Sequence, residues 1–485
     1  MCAPRAARPS RRSAGLRVAG VVLAASVVVA GGAILALHEF PPALLRVGAN
    51  YAAKTVCSEY YLAGRDPRAV LRTDVQVPGS VFTRLMRVSL DRRDRLVRAG
   101  IGGFIGNGLA VEVPGRGCTV IPDGRWRSFL ARARAAATTT PADGRAGAPA
   151  ATTAATSGDP LWPDGDRVVV VPRLQSIVDD ASLAGPGLRA IVVVHDGRIV
   201  AERYGSGFGP STPLLGWSMT KSVFAGLVGV LVGDGRLSLD ASAGLGRFPG
   251  DPRAAIRIAD LMSMTDGLRF DERYSGVSDV TRMLFLEPDM AGYAASRPPA
   301  HPAGRFWSYS SGTAMILARI VQRAAGPHPR AFAREHLFAP IGIDSATIES
   351  DEHGTLVGSS YLYATARDWA RYAELLRQDG VWNGTRVLPP GFVATMIRPV
   401  AASGGQYGAG MIWRFAGSPT APGVDPDRAF GIPSDAFWME GFDGQRIAIV
   451  PSRALVVLRM GLTPSWMHYQ PQRLVGALLE ALKTR

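Results

Sequence analysis

Apolar and polar positions are distributed along this chain in four ways, and each predicts a different kind of element. Residues 18–37, VAGVVLAASVVVAGGAILAL, carry no charge, and as a helix they would run about 30 Å, the thickness of a bilayer core. Residues 41–130 mix short apolar and polar stretches, which predicts a small N-terminal segment without fixing its elements. Residues 131–165 are rich in Ala, Thr, Pro and Gly and show no periodicity. That composition cannot bury a core and predicts a linker. From 166 to 485 the apolar positions become dense, as in a large globular domain.

The large domain opens with RAIVVVHDGRIVAERY (189–204), two β-rich runs around Asp196–Gly197, a hairpin signal. It closes with strand-like runs at 446–451 and 454–460 and a terminal helix in PQRLVGALLEALKTR (471–485). Helical spacing recurs between them at 221–233, 313–325 and 366–378. Strands at both ends with helices between predict an α/β architecture. One antiparallel sheet is assembled from both ends of the domain, covered by helices, and carries a mostly helical insertion.

Charge changes the picture at the N-terminus. The net charge is +14 and the isoelectric point near 10.2, which raises nucleic acid as a partner. The arginines outside the N-terminal cluster are scattered, with no aromatic-interleaved basic stripe, so no nucleic-acid partner is expected. Arg5, Arg8, Arg11, Arg12 and Arg17 instead precede the apolar run. By the positive-inside rule, residues 1–17 form a cytoplasmic tail and 18–37 cross the inner (cytoplasmic) membrane as a single-pass signal anchor. The rest then lies on the periplasmic or extracytoplasmic side. A cleaved signal peptide is the rival reading, but such peptides have apolar cores of about 7–15 residues and a small-x-small site, which this run lacks. Cys57 and Cys118 both follow the anchor, and an oxidising compartment permits a bridge between them, worth about 4 kcal/mol in the chain-entropy model. Two buried thiols are the alternative. The seven histidines are dispersed and no HExxH or CxxC occurs, so neither a metal nor a cofactor is expected.

Candidate chemistry enters at GWSMTKSVF (216–224). Arginine has replaced lysine almost everywhere: of 54 basic residues only Lys54, Lys221 and Lys483 are lysines. If Ser218 begins the helix that continues through TKSVFAGLVGVLV, Ser218 and Lys221 share a face. A lysine in an apolar pocket has a lowered pKa and can take the serine proton, making the hydroxyl nucleophilic. Arginine, which stays protonated, cannot. The helix N-terminus and the Ser218 N–H suit an oxyanion. Chance Ser-x-x-Lys matches are common enough that a second element is needed. It stands at PAGRFWSYSSGTAMILARIV (302–321), where Tyr309 precedes a helix-patterned stretch and has the chemistry of a proton carrier between nucleophile and leaving group.

Taken together, WSMTKS, YSSGT, GDPRAAIRIADLMSMTDGL (250–268), LFAPIGI (337–343) and YATARDWARYAELL (363–376) resemble the serine β-lactamase and penicillin-binding-protein superfamily. The likeness is greatest to class C-like esterases and 6-aminohexanoate-dimer hydrolases, and it covers residues 170–465. The resemblance implies a β-lactamase/transpeptidase-like fold with an all-helical subdomain, and a serine hydrolase of ester or amide substrates. It implies Ser218 as the acylated nucleophile, Lys221 as its base and Tyr309 as the tyrosine of a Tyr-x-Asn motif whose third position is Ser311. FDERY (270–274) resembles the segment that supplies a second active-site tyrosine, Tyr274. The Lys-Thr-Gly strand motif is replaced by Met439-Glu440-Gly441, which makes the Phe442 N–H the second oxyanion donor beside that of Ser218 and puts Gly441 against the substrate. With no cation in the motif and Glu440 expected to repel a carboxylate, a neutral small-molecule ester or linear amide is favoured. β-Lactam or cell-wall peptide cleavage and a non-catalytic envelope-binding protein are the alternatives. A Ser-His-Asp hydrolase is disfavoured, since GWSMT lacks the second glycine of a nucleophile elbow.

Overall fold

A computed structural model describes the protein over residues 11–77, 81–139, 160–417 and 424–483. The first part of the basic tail and the middle of the expected linker, 140–159, lie outside the described residues. The apolar run lies in one helix, Arg11–Glu39. Its stretch Val21–Glu39 is long and apolar enough to cross a membrane, and no residue of that window is buried.

Residues 41–130, whose pattern left the elements open, form a compact module. The helix Ala43–Tyr61 turns Ala49, Ala52, Ala53, Val56 and Cys57 inward. It lies on an antiparallel sheet of β1 (Met86–Asp91), β2 (Leu96–Ile101), β3 (Ile105–Val113) and β4 (Gly117–Val120), in that order. Small alanines let the helix sit close to the sheet. A disulfide joins Cys57 of the helix to Cys118 of β4, closing a sequence separation of 61.

The segment expected as a linker differs at both ends. Residues 131–139 continue a helix, Trp126–Thr139, because the alanine-rich run that reads as low complexity also has high helix propensity. At the other end, Leu161 bridges Arg167 and Trp162 is fully buried.

In the large domain, Asp196 and Gly197 have φ of 49° and 73°, the left-handed backbone that a two-residue hairpin turn requires at both positions. They join β5 (Leu188–His195) to β6 (Arg198–Tyr204). Short strands β7 (Pro213–Leu215), β8 (Thr347–Ile348) and β9 (Leu362–Thr365) form a second sheet in the order β7-β9-β8. A small hairpin holds β10 (Val381–Trp382) and β11 (Thr385–Arg386). The principal sheet is completed by β12 (Phe437–Gly441), β13 (Gln445–Val450) and β14 (Leu455–Gly461), in the order β12-β13-β14-β5-β6 with every pair antiparallel. Val457 of β14 thus pairs with Val193 of β5, and the two ends of the domain meet in one sheet as the strand pattern predicts. The sequence reading missed the β7–β9 sheet, since strands of two to four residues are too short for alternation to register.

Period-two alternation explains the layers. Ala190, Val192 and Val194 of β5 face one core with the helix Met219–Gly233 and the helical subdomain. Ile191 and Val193 face another, with Leu174, Val178, Leu474 and Leu478 from the helices Pro172–Asp179 and Pro471–Lys483. The subdomain includes Asp279–Leu286, capped by Ser278, and Ser311–Ala325, capped by Ser310.

The N-terminal module docks on this domain through charge. Lys54 of its helix forms a buried ion pair with Glu349, which also accepts from the Ser58 hydroxyl at 2.8 Å and the Cys118 N–H at 2.6 Å. Asn50 donates to the Phe285 carbonyl at 2.7 Å, and Arg189 of β5 donates to Asp74 at 2.6 Å.

Candidate active site

After β7 the chain makes a tight turn and enters a helix. Trp217 takes a left-handed backbone with φ of 48°, a conformation that costs a bulky residue about 1–3 kcal/mol. Its ring is held 5.5 Å from that of Phe442 and 6.2 Å from that of Tyr361. Ser218 follows at the helix N-cap position, half-buried, and the helix Met219–Gly233 is buried nearly all round. Lys221 therefore has no route to solvent and is 1% exposed.

The Lys221 Nζ has three partners: Ser218 Oγ at 2.8 Å, the Ser359 carbonyl at 2.9 Å and Ser311 Oγ at 3.1 Å. Burial lowers its pKa to about 8, against the charge of Glu272, which raises it. A neutral amine has two N–H groups and one lone pair, and the partners dictate how these are used. The Ser359 carbonyl can only accept. The Ser311 hydroxyl donates to Glu272 Oε1 at 2.6 Å, so toward Lys221 it too must accept. Both N–H groups are then engaged, and the lone pair is left for Ser218, the remaining partner with a proton to give.

Glu272 is fixed from the same side, since its other oxygen accepts from the Ser311 N–H at 2.7 Å. Burial raises its pKa and the nearby Lys221 charge opposes that shift. The carboxylate thus serves both as the orienting acceptor for Ser311 and as a counter-charge for Lys221.

Tyr309 also stands beside Ser218 and Lys221. Its ring centroid lies 5.0 Å from the Lys221 Nζ, Ser218 is near enough to its hydroxyl to temper the rise that burial gives its pKa, and the rings of Trp413 and Tyr407 hold it at 5.3 Å and 6.0 Å. Burial, with the Glu272 charge added, pushes its pKa far above the ordinary tyrosine value. A tyrosine in that state keeps its proton at neutral pH. It can relay a proton but is a poor resident base.

Tyr274 stacks on Phe442 with centroids 4.6 Å apart, and Ser311 is near enough to its hydroxyl to temper the rise that burial gives its pKa. Gly441 ends β12 against the turn before Ser218: a β-carbon there would lie 2.3 Å from the Gly216 carbonyl oxygen. Only glycine lets the strand approach this closely, and the next residue is Phe442. The structure therefore brings Ser218, Lys221, Tyr309, Ser311, Tyr274, Gly441 and Phe442 into one site, while Cys57 and Cys118 lie apart in the N-terminal module.

Glu440 requires a correction. The sequence places no cation in the motif, yet Arg446 sits directly across the β12–β13 pair, 3.5 Å from the Glu440 carboxylate. Its guanidinium also donates to the Gly441 carbonyl at 2.8 Å. The repulsion expected from Glu440 is offset in part, because a cation comes from the neighbouring strand instead of the motif.

Sequence reasoning missed Glu272 and Ser359. Glu272 lies inside the FDERY segment already singled out for Tyr274, so an acidic residue two positions earlier was the available signal. Ser359 contributes a backbone carbonyl, and no residue type announces that. Among the described residues no group of three or more His, Cys, Asp or Glu side chains could hold a metal ion.

A family profile described as Beta-lactamase matches residues 180–473. A 6-aminohexanoate-dimer hydrolase of Paenarthrobacter ureafaciens is 25% identical over 225 residues, covering 43% of this chain and 56% of that protein. The chain thus spans little more than half the length of that relative. A solved Bacillus anthracis protein, provisionally named a 6-aminohexanoate-dimer hydrolase, superposes with a TM-score of 0.51 at 21% identity, over 65% of this chain and 87% of that one. A penicillin-binding protein homologue from Caulobacter crescentus gives 0.50 at 17% identity, over 65% and 99%. At such identities the two structures speak to fold alone.

Proposed function

Because the chain belongs to the β-lactamase family, we propose that it is a membrane-anchored serine hydrolase that cleaves an ester or linear amide through an acyl-enzyme on Ser218. The observation that carries this reading is the partner set of the Lys221 Nζ, which reserves its lone pair for the Ser218 hydroxyl.

In acylation, Ser218 Oγ attacks the substrate carbonyl carbon as its proton passes to Lys221. The ammonium that forms is costly in a buried site, and the Glu272 carboxylate offsets part of that cost. The N–H groups of Ser218 and Phe442 receive the oxyanion. Tyr309, beside Ser218 and Lys221, hands a proton to the leaving group and regains one from Lys221. Water then attacks the ester by the reverse relay and restores Ser218. Tyr274, half-buried against Phe442, borders the substrate's path, whereas Ser311 and Gly441 are buried and shape the site from behind.

Linear amides and esters are favoured over β-lactams, since the nearby cation, Arg446, is already engaged by Glu440 and two backbone carbonyls. The name of the Paenarthrobacter relative, a 6-aminohexanoate-dimer hydrolase, supports the same choice. Helix Val21–Glu39 is the proposed anchor, with the Cys57–Cys118 bridge fitting an exported catalytic domain.

The test is intact-mass spectrometry with peptide mapping after rapid quenching, using p-nitrophenyl esters, linear amides and nitrocefin as separate substrates. An acyl increment on the Ser218 peptide with esters or amides supports the reading. Adducts on another residue, or turnover dominated by nitrocefin, would overturn it.

A further inference from the structure

The N-terminal module exposes large apolar side chains that no core explains. Phe82 and Leu85 are 52% and 51% exposed, Phe104 47% and Phe40 84%. Three of these sit together. The Leu85 N–H donates to the Phe82 carbonyl at 3.2 Å, and the Gly102 N–H donates to the Leu85 carbonyl at 3.1 Å. The segment before β1 is thereby tied to the β2–β3 turn, which carries Phe104. Arg84 and Arg87 are exposed beside them.

What fixes the depth of this patch is its attachment to the long apolar helix. The His38 ring bonds the Phe104 carbonyl at 2.8 Å, and the Asn107 side chain donates to the His38 carbonyl at 2.9 Å. His38 is the penultimate residue of the membrane-length stretch Val21–Glu39, which has 19 residues and spans about 28 Å at the helical rise. That matches a hydrocarbon core of about 30 Å, so His38 falls at the bilayer boundary. Phe104 is held at that level by its own hydrogen bond to His38 and by that of Asn107 three residues on, and Phe40 follows within the same turn.

We infer that the face of the N-terminal module bearing Phe40, Phe82, Leu85 and Phe104 rests in the headgroup region of the bilayer, with Arg84 and Arg87 set to meet lipid phosphates. The partner is the lipid surface. Exposed aromatic and apolar side chains flanked by arginine suit that zone, where one end of a residue is dry and the other wet. The module then acts as a foot that fixes the height and tilt of the catalytic domain. This inference rests on the proposed membrane anchor, so its test reads the two separately.

The unaltered full chain is reconstituted in nanodiscs of phosphatidylethanolamine and phosphatidylglycerol doped with a lipid carrying a diazirine high in its acyl chain, then irradiated and peptide-mapped. The expected result is adducts within 21–39 and also at 82–85 and 104. The β1–β2 turn at 92–95, about 20 Å away at the opposite end of β2, should be labelled at least tenfold less. Adducts within 21–39 with none at 82–85 or 104, or equal labelling at 92–95, would overturn the foot while leaving the anchor intact. Absence of adducts within 21–39 would overturn the anchor and the foot together.

Discussion

Glu272 grips Ser311 at two points, accepting from its hydroxyl at 2.6 Å and from its backbone N–H at 2.7 Å. With its own proton committed there, Ser311 Oγ can only accept from Lys221. In the proposed mechanism, a carboxylate that never touches Ser218 in this way sets which direction the Ser218 proton moves.

Glu272→Gln keeps the shape and removes the charge. The acylation rate should fall about 10–100-fold, the scale of a hydrogen bond to a charged group. Its acid limb should move to lower pH: the Glu272 charge raises the Lys221 pKa, so without it the amine stays neutral further down the scale. A pH profile of kcat/KM checks both. A limb moving upward would show that Glu272 is not the counter-charge of Lys221.

Tyr309→Phe separates proton relay from nucleophile activation. An amide leaving group must be protonated, whereas p-nitrophenolate need not be. Steady-state kinetics should show a loss of about 10²–10⁴-fold for linear amides, the usual worth of a placed general acid, and a clearly smaller loss for p-nitrophenyl esters. Equal losses for both would contradict the relay.

Gly441→Ala would place a β-carbon 2.3 Å from the Gly216 carbonyl oxygen. Neither backbone can yield without moving Phe442 or the turn that carries Ser218. The expected drop in kcat is about 10²-fold, the cost of a small misplacement at a reacting centre, with the far-UV circular dichroism spectrum unchanged. Wild-type kcat in a folded variant would show that β12 does not set the oxyanion geometry.

The Lys54–Glu349 pair binds the N-terminal module to the catalytic domain. Lys54→Met should destabilise the chain by about 3–5 kcal/mol, because it strands a buried carboxylate. The double variant Lys54→Met/Glu349→Leu should recover much of that loss. Denaturant unfolding of the detergent-solubilised chain measures it, and additive losses would mean the two charges are not coupled.

What could be read from the sequence is what local pattern encodes. Asp196–Gly197 announces its hairpin because few other residues tolerate that backbone, and Ser218 with Lys221 follows from helical spacing once the rarity of lysine is noticed. Long-range relations are different. Nothing in the neighbourhood of Lys54 points to Glu349, 295 residues away, and the elements of 41–130 emerge only from packing between a small-residue helix and short strands. The role of Glu272 depends on a loop returning to the head of the helix Ser311–Ala325, which no periodicity records. Arg446 escaped notice for the same reason, since it reaches Glu440 across a strand pair.

The most direct test measures the rate at which a fluorophosphonate probe labels Ser218 between about pH 6 and 10, in the wild type and in Lys221→Ala. If a neutral Lys221 is the base, the wild-type rate should rise about tenfold per pH unit and level off above about 8, the value to which burial brings the amine. The variant should be slower by about 10²–10⁴-fold and lack that rise. Wild-type labelling that ignores pH in this window, or a variant labelled as fast as the wild type, would contradict the account.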